Sequence, residues 1–126
     1  MKRVVITGIG TINPLGKNVP EYFHNLDLGV SGANLISRFD ASRFKTQFAC
    51  EIPDFDPEGF PEVYDRKEAR RTDPFTQYAM IAAAEAVKDS QLDLDQTDLR
   101  RIGVVVGSGS TDASSFLTDA LPTFAS

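Results

Sequence analysis

The 126-residue sequence holds one cysteine and one histidine, the side chains most used for nucleophilic and metal chemistry. A lone Cys50 cannot close an internal disulfide and has no metal-ligand partner at useful spacing, which excludes both a stapled fold and a zinc site. No metal and no cofactor is expected. No apolar run approaches the roughly 20 residues of a membrane-spanning helix. The opening Met1-Lys2-Arg3-Val4-Val5-Ile6-Thr7-Gly8 has a basic pair, but its apolar stretch is too short for a signal-peptide core and breaks at glycine. With one unpaired thiol, this makes the reducing cytoplasm the expected location. The chain also lacks excess positive charge. A formal net charge of -5 argues against a general nucleic-acid binder, which draws most of its affinity from neutralised phosphates, so any basic surface is local. There is no internal repeat, no low-complexity tract and no linker, so residues 1–126 read as one unit without an internal boundary.

What is present is the composition of a soluble globular chain, 41% hydrophobic and 25% charged, of a size that buries about two thirds of its unfolded surface on one core. Residues 3 to 9 carry Val4, Val5, Ile6 and Ile9 and run into Gly8 and Gly10, predicting a buried strand and a tight turn. Asn18 followed by Glu21 predicts a capped helix start, with Val19, Tyr22, Phe23 and Leu26 on one face and Gly29 as its stop. Residues 31–45 read as a loop and Gln47 to Ile52 as a short strand. Pro53, Pro57 and Pro61 exclude a long helix between Asp54 and Tyr64. The clearest helix starts at Asp73 as N-cap and Pro74, with an apolar stripe of Phe75, Tyr78, Ala79, Ala82, Ala83, Ala86 and Val87 whose alanines imply close packing. Ile102 to Val106, ending at Gly107-Ser108-Gly109, predicts a central strand covered on both faces. Phe116, Leu117 and Leu121 allow a short helix. The order strand, helix, helix, strand indicates a layered α/β fold.

Three features could carry chemistry. Gly8-Ile9-Gly10 and Gly107-Ser108-Gly109 invite a nucleotide-binding reading, but Asn13 and Asp112 stand where a dinucleotide fingerprint needs its third glycine, and the glycines are better explained by tight turns. Cys50 has apolar neighbours and no nearby base, so it reads as a buried structural cysteine rather than a nucleophile. His24 lies on a separate helix beside Phe23 and takes no role. The third feature is Arg66-Lys67-Glu68-Ala69-Arg70-Arg71, four basic residues within six positions of an acidic chain. On a helical turn Lys67, Arg70 and Arg71 project from one side at i, i+3 and i+4. Charge alone leaves two readings open: a solvated face, or a docking patch for an acidic protein or phosphate-bearing ligand.

Several segments together resemble the start of the elongating, type II β-ketoacyl-[acyl carrier protein] synthases. They are Met1 to Gly10, Asn13-Pro14-Leu15-Gly16, Ser31-Gly32, Arg38-Phe39-Asp40-Ala41-Ser42, Phe44-Lys45-Thr46, Asp54-Phe55-Asp56-Pro57, Arg66 to Arg71, and Arg101-Ile102-Gly103-Val104 to Gly109. Their order and spacing over residues 1 to 109 are specific where no single motif is. The resemblance implies a thiolase-like fold of layered α/β/α halves, of which this chain is an incomplete half-domain, and a homodimer in the complete enzyme. It also implies decarboxylative Claisen condensation by a cysteine and two histidines that occur later in the family's chains and have no counterpart among these residues. Residues 1–126 alone are therefore expected to be inactive.

Residue by residue, the resemblance carries over the basic cluster: Lys67, Arg70 and Arg71 match positions that contact the acidic helix of acyl carrier protein. Gly107, Ser108 and Gly109 match a loop near the acyl pocket and dimer interface. Ser110 departs from the bulky aliphatic residue that gates the acyl tunnel in this family, and residues 111–126 do not follow the family pattern. The leading reading is thus part of an acyltransferase of fatty acid elongation. The alternative is a non-catalytic, carrier-protein-binding or chain-length-factor-like subunit. Sheet edges and an apolar helix face left uncovered predict poor solubility or self-association.

Overall fold

The computed structural model describes residues 3–69 and 71–107. Local signals set the helices. Helix α1 spans Val19–Asp27. The Asn18 side chain accepts from the Glu21 amide at 2.9 Å, and the Glu21 carboxylate accepts in return from the Lys17 amide at 2.8 Å. The expected capping arrangement forms, with its return bond one residue earlier than usual. At the other end Gly29 adopts φ +68°, and the Gly29 and Val30 amides donate to the Leu26 and Asn25 carbonyls, both at 3.0 Å. This is a Schellman stop, which satisfies two carbonyls that the helix leaves without partners.

A one-turn helix α2 covers Arg66–Ala69, and the long helix α3 covers Pro74–Asp89. Asp73 precedes α3 as expected and is extended, as a residue before proline should be, but its side chain makes no capping bond. The proline-rich stretch forms a single 3-10 turn at Pro57–Gly59, and a second such turn lies at Leu99–Arg101. Strands β1, Asn34–Leu35, and β2, Phe48–Ala49, pair antiparallel with Leu35 opposite Phe48. The predicted strand over 47–52 is thus present but shorter, and its partner comes from the segment read as a loop.

The two apolar segments expected as buried strands are not in a ladder. Residues 3–9 and 102–107 have no strand pairing, and Val4, Val5, Ile6, Val104, Val105 and Val106 are all exposed, Val105 at 98%. A central strand needs neighbours on both sides, and the described residues provide none. The layered sheet expected from the element order is correspondingly absent among the described residues, whose only sheet is β1–β2.

The first segment is nonetheless fixed in place, by α3. A Cβ added to Gly8 would lie 2.2 Å from the Ala86 carbonyl oxygen, and one added to Gly10 would lie 2.0 Å from that of Ala82. The two glycines therefore allow backbone to lie directly against helix backbone, not the tight turn expected of them. The turn itself comes later, where Asn13 and Gly16 exchange backbone bonds of 2.9 and 3.1 Å. The small Ala82 and Ala86 are the helix side of this contact, which is why the alanine stripe exists. A second face of α3, centred on Gln77 and Ile81, closes the small core with Tyr64 and Ala69, flanked by Ile12, Phe55, Phe60 and Val63. The buried positions are rotated from the predicted stripe, since Phe75 and Val87 at its two ends are exposed.

Candidate functional site

The basic cluster lies on the rim of this core. Asp65 opens α2: its carboxylate accepts from the Lys67 amide at 2.7 Å and its carbonyl from the Ala69 amide at 2.9 Å. Ala69 turns inward to 5% exposure while Lys67 faces solvent. Helix α2 is described as far as Ala69. Arg71 lies in the turn that follows, also exposed, and Arg70 lies outside the described residues. Four residues make a helix too short to be stable by itself, so packing must hold it. Among the described residues neither Lys67 nor Arg71 is in an ion pair, which leaves two cations directed at solvent from one short segment.

Gln77, whose role no sequence pattern announced, ties this segment down. Buried to 6% exposure, its side-chain amide donates to the Ala69 carbonyl at 2.6 Å and to the Thr72 carbonyl at 2.8 Å. Tyr64 adds a bond from its hydroxyl to the Thr76 carbonyl at 3.3 Å. The one available signal was a polar side chain four residues before Ile81 on the inward face of an otherwise apolar helix.

Cys50 is exposed, contrary to the expectation of burial. It follows β2 and borders two cavities of about 380 and 400 Å³ that share Asn13 and Pro14 as walls, the first also lined by Arg38 and Tyr78. The Arg38 guanidinium donates to the Tyr78 hydroxyl at 3.1 Å. His24 is exposed on the last turn of α1, on a different element from Cys50, and the two lie at no common site. The described residues contain no metal-ligating cluster and no helix long and apolar enough to cross a membrane. At Gly8 and Gly10 the approach of α3 also removes the room that a pyrophosphate would need. Gly107 is exposed at the end of the apolar segment from Ile102, and Ser108, Gly109 and Ser110 lie outside the described residues, as do the positions read as a short helix.

The family model described as β-ketoacyl synthase, N-terminal domain, matches residues 1–123. The chain belongs to the β-ketoacyl synthase family. It is 48% identical over 108 residues to the 3-oxoacyl-[acyl-carrier-protein] synthase 2 of Coxiella burnetii, covering 86% of this chain and 25% of that protein. The protein of the same name from Staphylococcus aureus strain COL is 47% identical over 108 residues, with the same shares. The chain thus spans about a quarter of the length of the curated relatives it matches. Among solved structures, the ishigamide ketosynthase/chain length factor aligns with a TM-score of 0.60 at 40% identity, over 72% of this chain and 22% of that one. The ketosynthase likeness covers most of the chain, which matches the amino-terminal domain of a synthase.

Proposed function

We propose that this chain is the amino-terminal part of a cytoplasmic 3-oxoacyl-[acyl carrier protein] synthase of fatty acid elongation. Its part of the work is to present a docking surface, made by Lys67, Arg70 and Arg71, to acyl carrier protein. The observation that carries the reading is the pair of exposed cations, Lys67 and Arg71, on a turn braced from beneath in a family whose relatives are named for their carrier-protein substrate. In the complete enzyme, proposed as a homodimer with a thiolase-like α/β/α architecture, malonyl-carrier protein would lose carbon dioxide. The resulting carbanion would attack the enzyme-held acyl thioester, forming the carbon–carbon bond and releasing the cysteine thiolate. Neither Cys50 nor His24 has the neighbours to take those roles, so residues 1–126 as one undivided unit should dock without catalysing. Gly107 to Ser110 are proposed to border the acyl pocket and dimer interface.

A chain-length-factor-like subunit is the alternative, since the aligned solved structure is that of a ketosynthase/chain length factor. Activity and binding are measured together. The 126-residue chain should form no carbon–carbon bond from malonyl- and acyl-carrier protein, and Arg71→Glu should weaken carrier-protein binding roughly threefold to tenfold at low salt. That difference should shrink as salt rises. Condensation by this chain alone would refute the first expectation, and unchanged affinity in R71E would return the cluster to a solvated face.

A further inference from the structure

We infer that Gln77 is a positioning residue for the docking surface, acting through the main chain of residues 69–72. The inference rests on the docking reading above and adds to it the device that holds the surface in shape. Gln77 is the one polar residue buried among the described residues, at a position where the helix repeat calls for an apolar side chain. Its amide group has two hydrogens and gives them to two different carbonyls, Ala69 at 2.6 Å and Thr72 at 2.8 Å. In sequence those carbonyls bracket positions 70 and 71. The first belongs to the last described residue of α2, in the final turn where a helix leaves its carbonyls without intrahelical partners. A one-turn helix cannot hold its own end, but α3 can, because Ile81, one turn on, is buried at 4% exposure in the core. The main chain from which Lys67 and Arg71 project is therefore ordered before any partner arrives. The entropy of fixing it is not charged against binding, which is how preorganisation raises affinity.

The test separates positioning from plain stability. Gln77→Met keeps the volume and removes both donors, and it is measured alone, beside Arg71→Glu, and in the double variant. Binding to acyl carrier protein is read at low salt and amide hydrogen exchange across the chain. In Q77M exchange should quicken about tenfold at residues 69–73 and stay unchanged in α1, and affinity should fall roughly threefold while both cations remain. In the R71E background the same change should add little, because both act through one surface. If R71E weakens binding while Q77M does not, or if the two losses multiply, the positioning role is overturned and docking stands. If R71E leaves affinity unchanged, the docking reading falls and takes the positioning role with it. Should Q77M unfold the chain, the unaltered protein still decides: its Gln77 side-chain amide hydrogens should already exchange slowly without carrier protein. Slow exchange only after carrier protein is added would overturn preorganisation.

Discussion

Gly10 has the strictest steric demand among the described glycines, because the position its Cβ would occupy lies 2.0 Å from the Ala82 carbonyl oxygen and 2.7 Å from the Ala86 amide. Both are backbone atoms of α3, so nothing flexible can yield. Gly10→Ala should cost about 2–3 kcal/mol by forcing the segment off the helix, read as a lowered denaturant midpoint. At Gly29 nothing approaches within 4 Å, so only its φ of +68° resists substitution. Gly29→Ala should accordingly cost less, about 1 kcal/mol. Glu51 shows a residue-scale effect of charge. The Ser37 hydroxyl and amide both donate to its carboxylate, at 2.6 and 3.0 Å, and hold its pKa below the ordinary 4.5. A carboxyl with a lowered folded pKa favours the folded state above its ordinary value and loses that contribution as pH falls through the folded one. The β1–β2 pairing should therefore loosen on acidification below about pH 4.5. Ser37→Ala should raise the Glu51 titration midpoint in a carboxyl NMR titration; an unmoved midpoint would discount the contact.

At the scale of elements, what was readable in the sequence was what neighbours in sequence decide. Asn18 with Glu21, Gly29, and Asp73 with Pro74 each marked a helix end correctly, because capping is settled within a few residues. Contacts between distant residues left no comparable trace. Nothing in the sequence sets Gln77 and Glu85 apart from other polar residues of a helix. Yet Glu85 accepts from the Thr11 amide at 2.9 Å and from the Val19 amide, the first of α1, at 2.8 Å. It joins three elements, placing a carboxylate at a helix N-terminus where the dipole favours it. Glu85→Ala should cost about 1–2 kcal/mol, with exchange protection lost first around Thr11 and the opening turn of α1. Uniform loss across the chain would mean that Glu85 has no specific tie to α1. The basic cluster was legible as charge, whereas the Gln77 brace beneath it was not, since it depends on α3.

For the whole molecule, strand propensity and strand formation have separated. Val4, Val5 and Ile6 and then Val104, Val105 and Val106 are β-branched, the residues that favour a pleated sheet, yet neither segment is a strand. Without a ladder these residues are exposed, Val4 at 95% and Val105 at 98%. The α1 face behaves alike, with Phe23 at 49% and Leu26 at 47%. A sheet is a property of several strands at once, and the described residues supply no partner strand for either segment. Exposed β-branched runs with open edges template pairing with other chains. The 126-residue chain should thus self-associate at micromolar concentration and bind a dye sensitive to apolar surface. Val5→Lys and Val105→Lys together should reduce both effects, because a lysine on an open edge opposes strand addition and neither side chain contributes to the core. Sedimentation velocity reads the outcome: a double variant as associated as the unaltered chain would place the association elsewhere, and the uncovered face of α1 would be the next surface to charge.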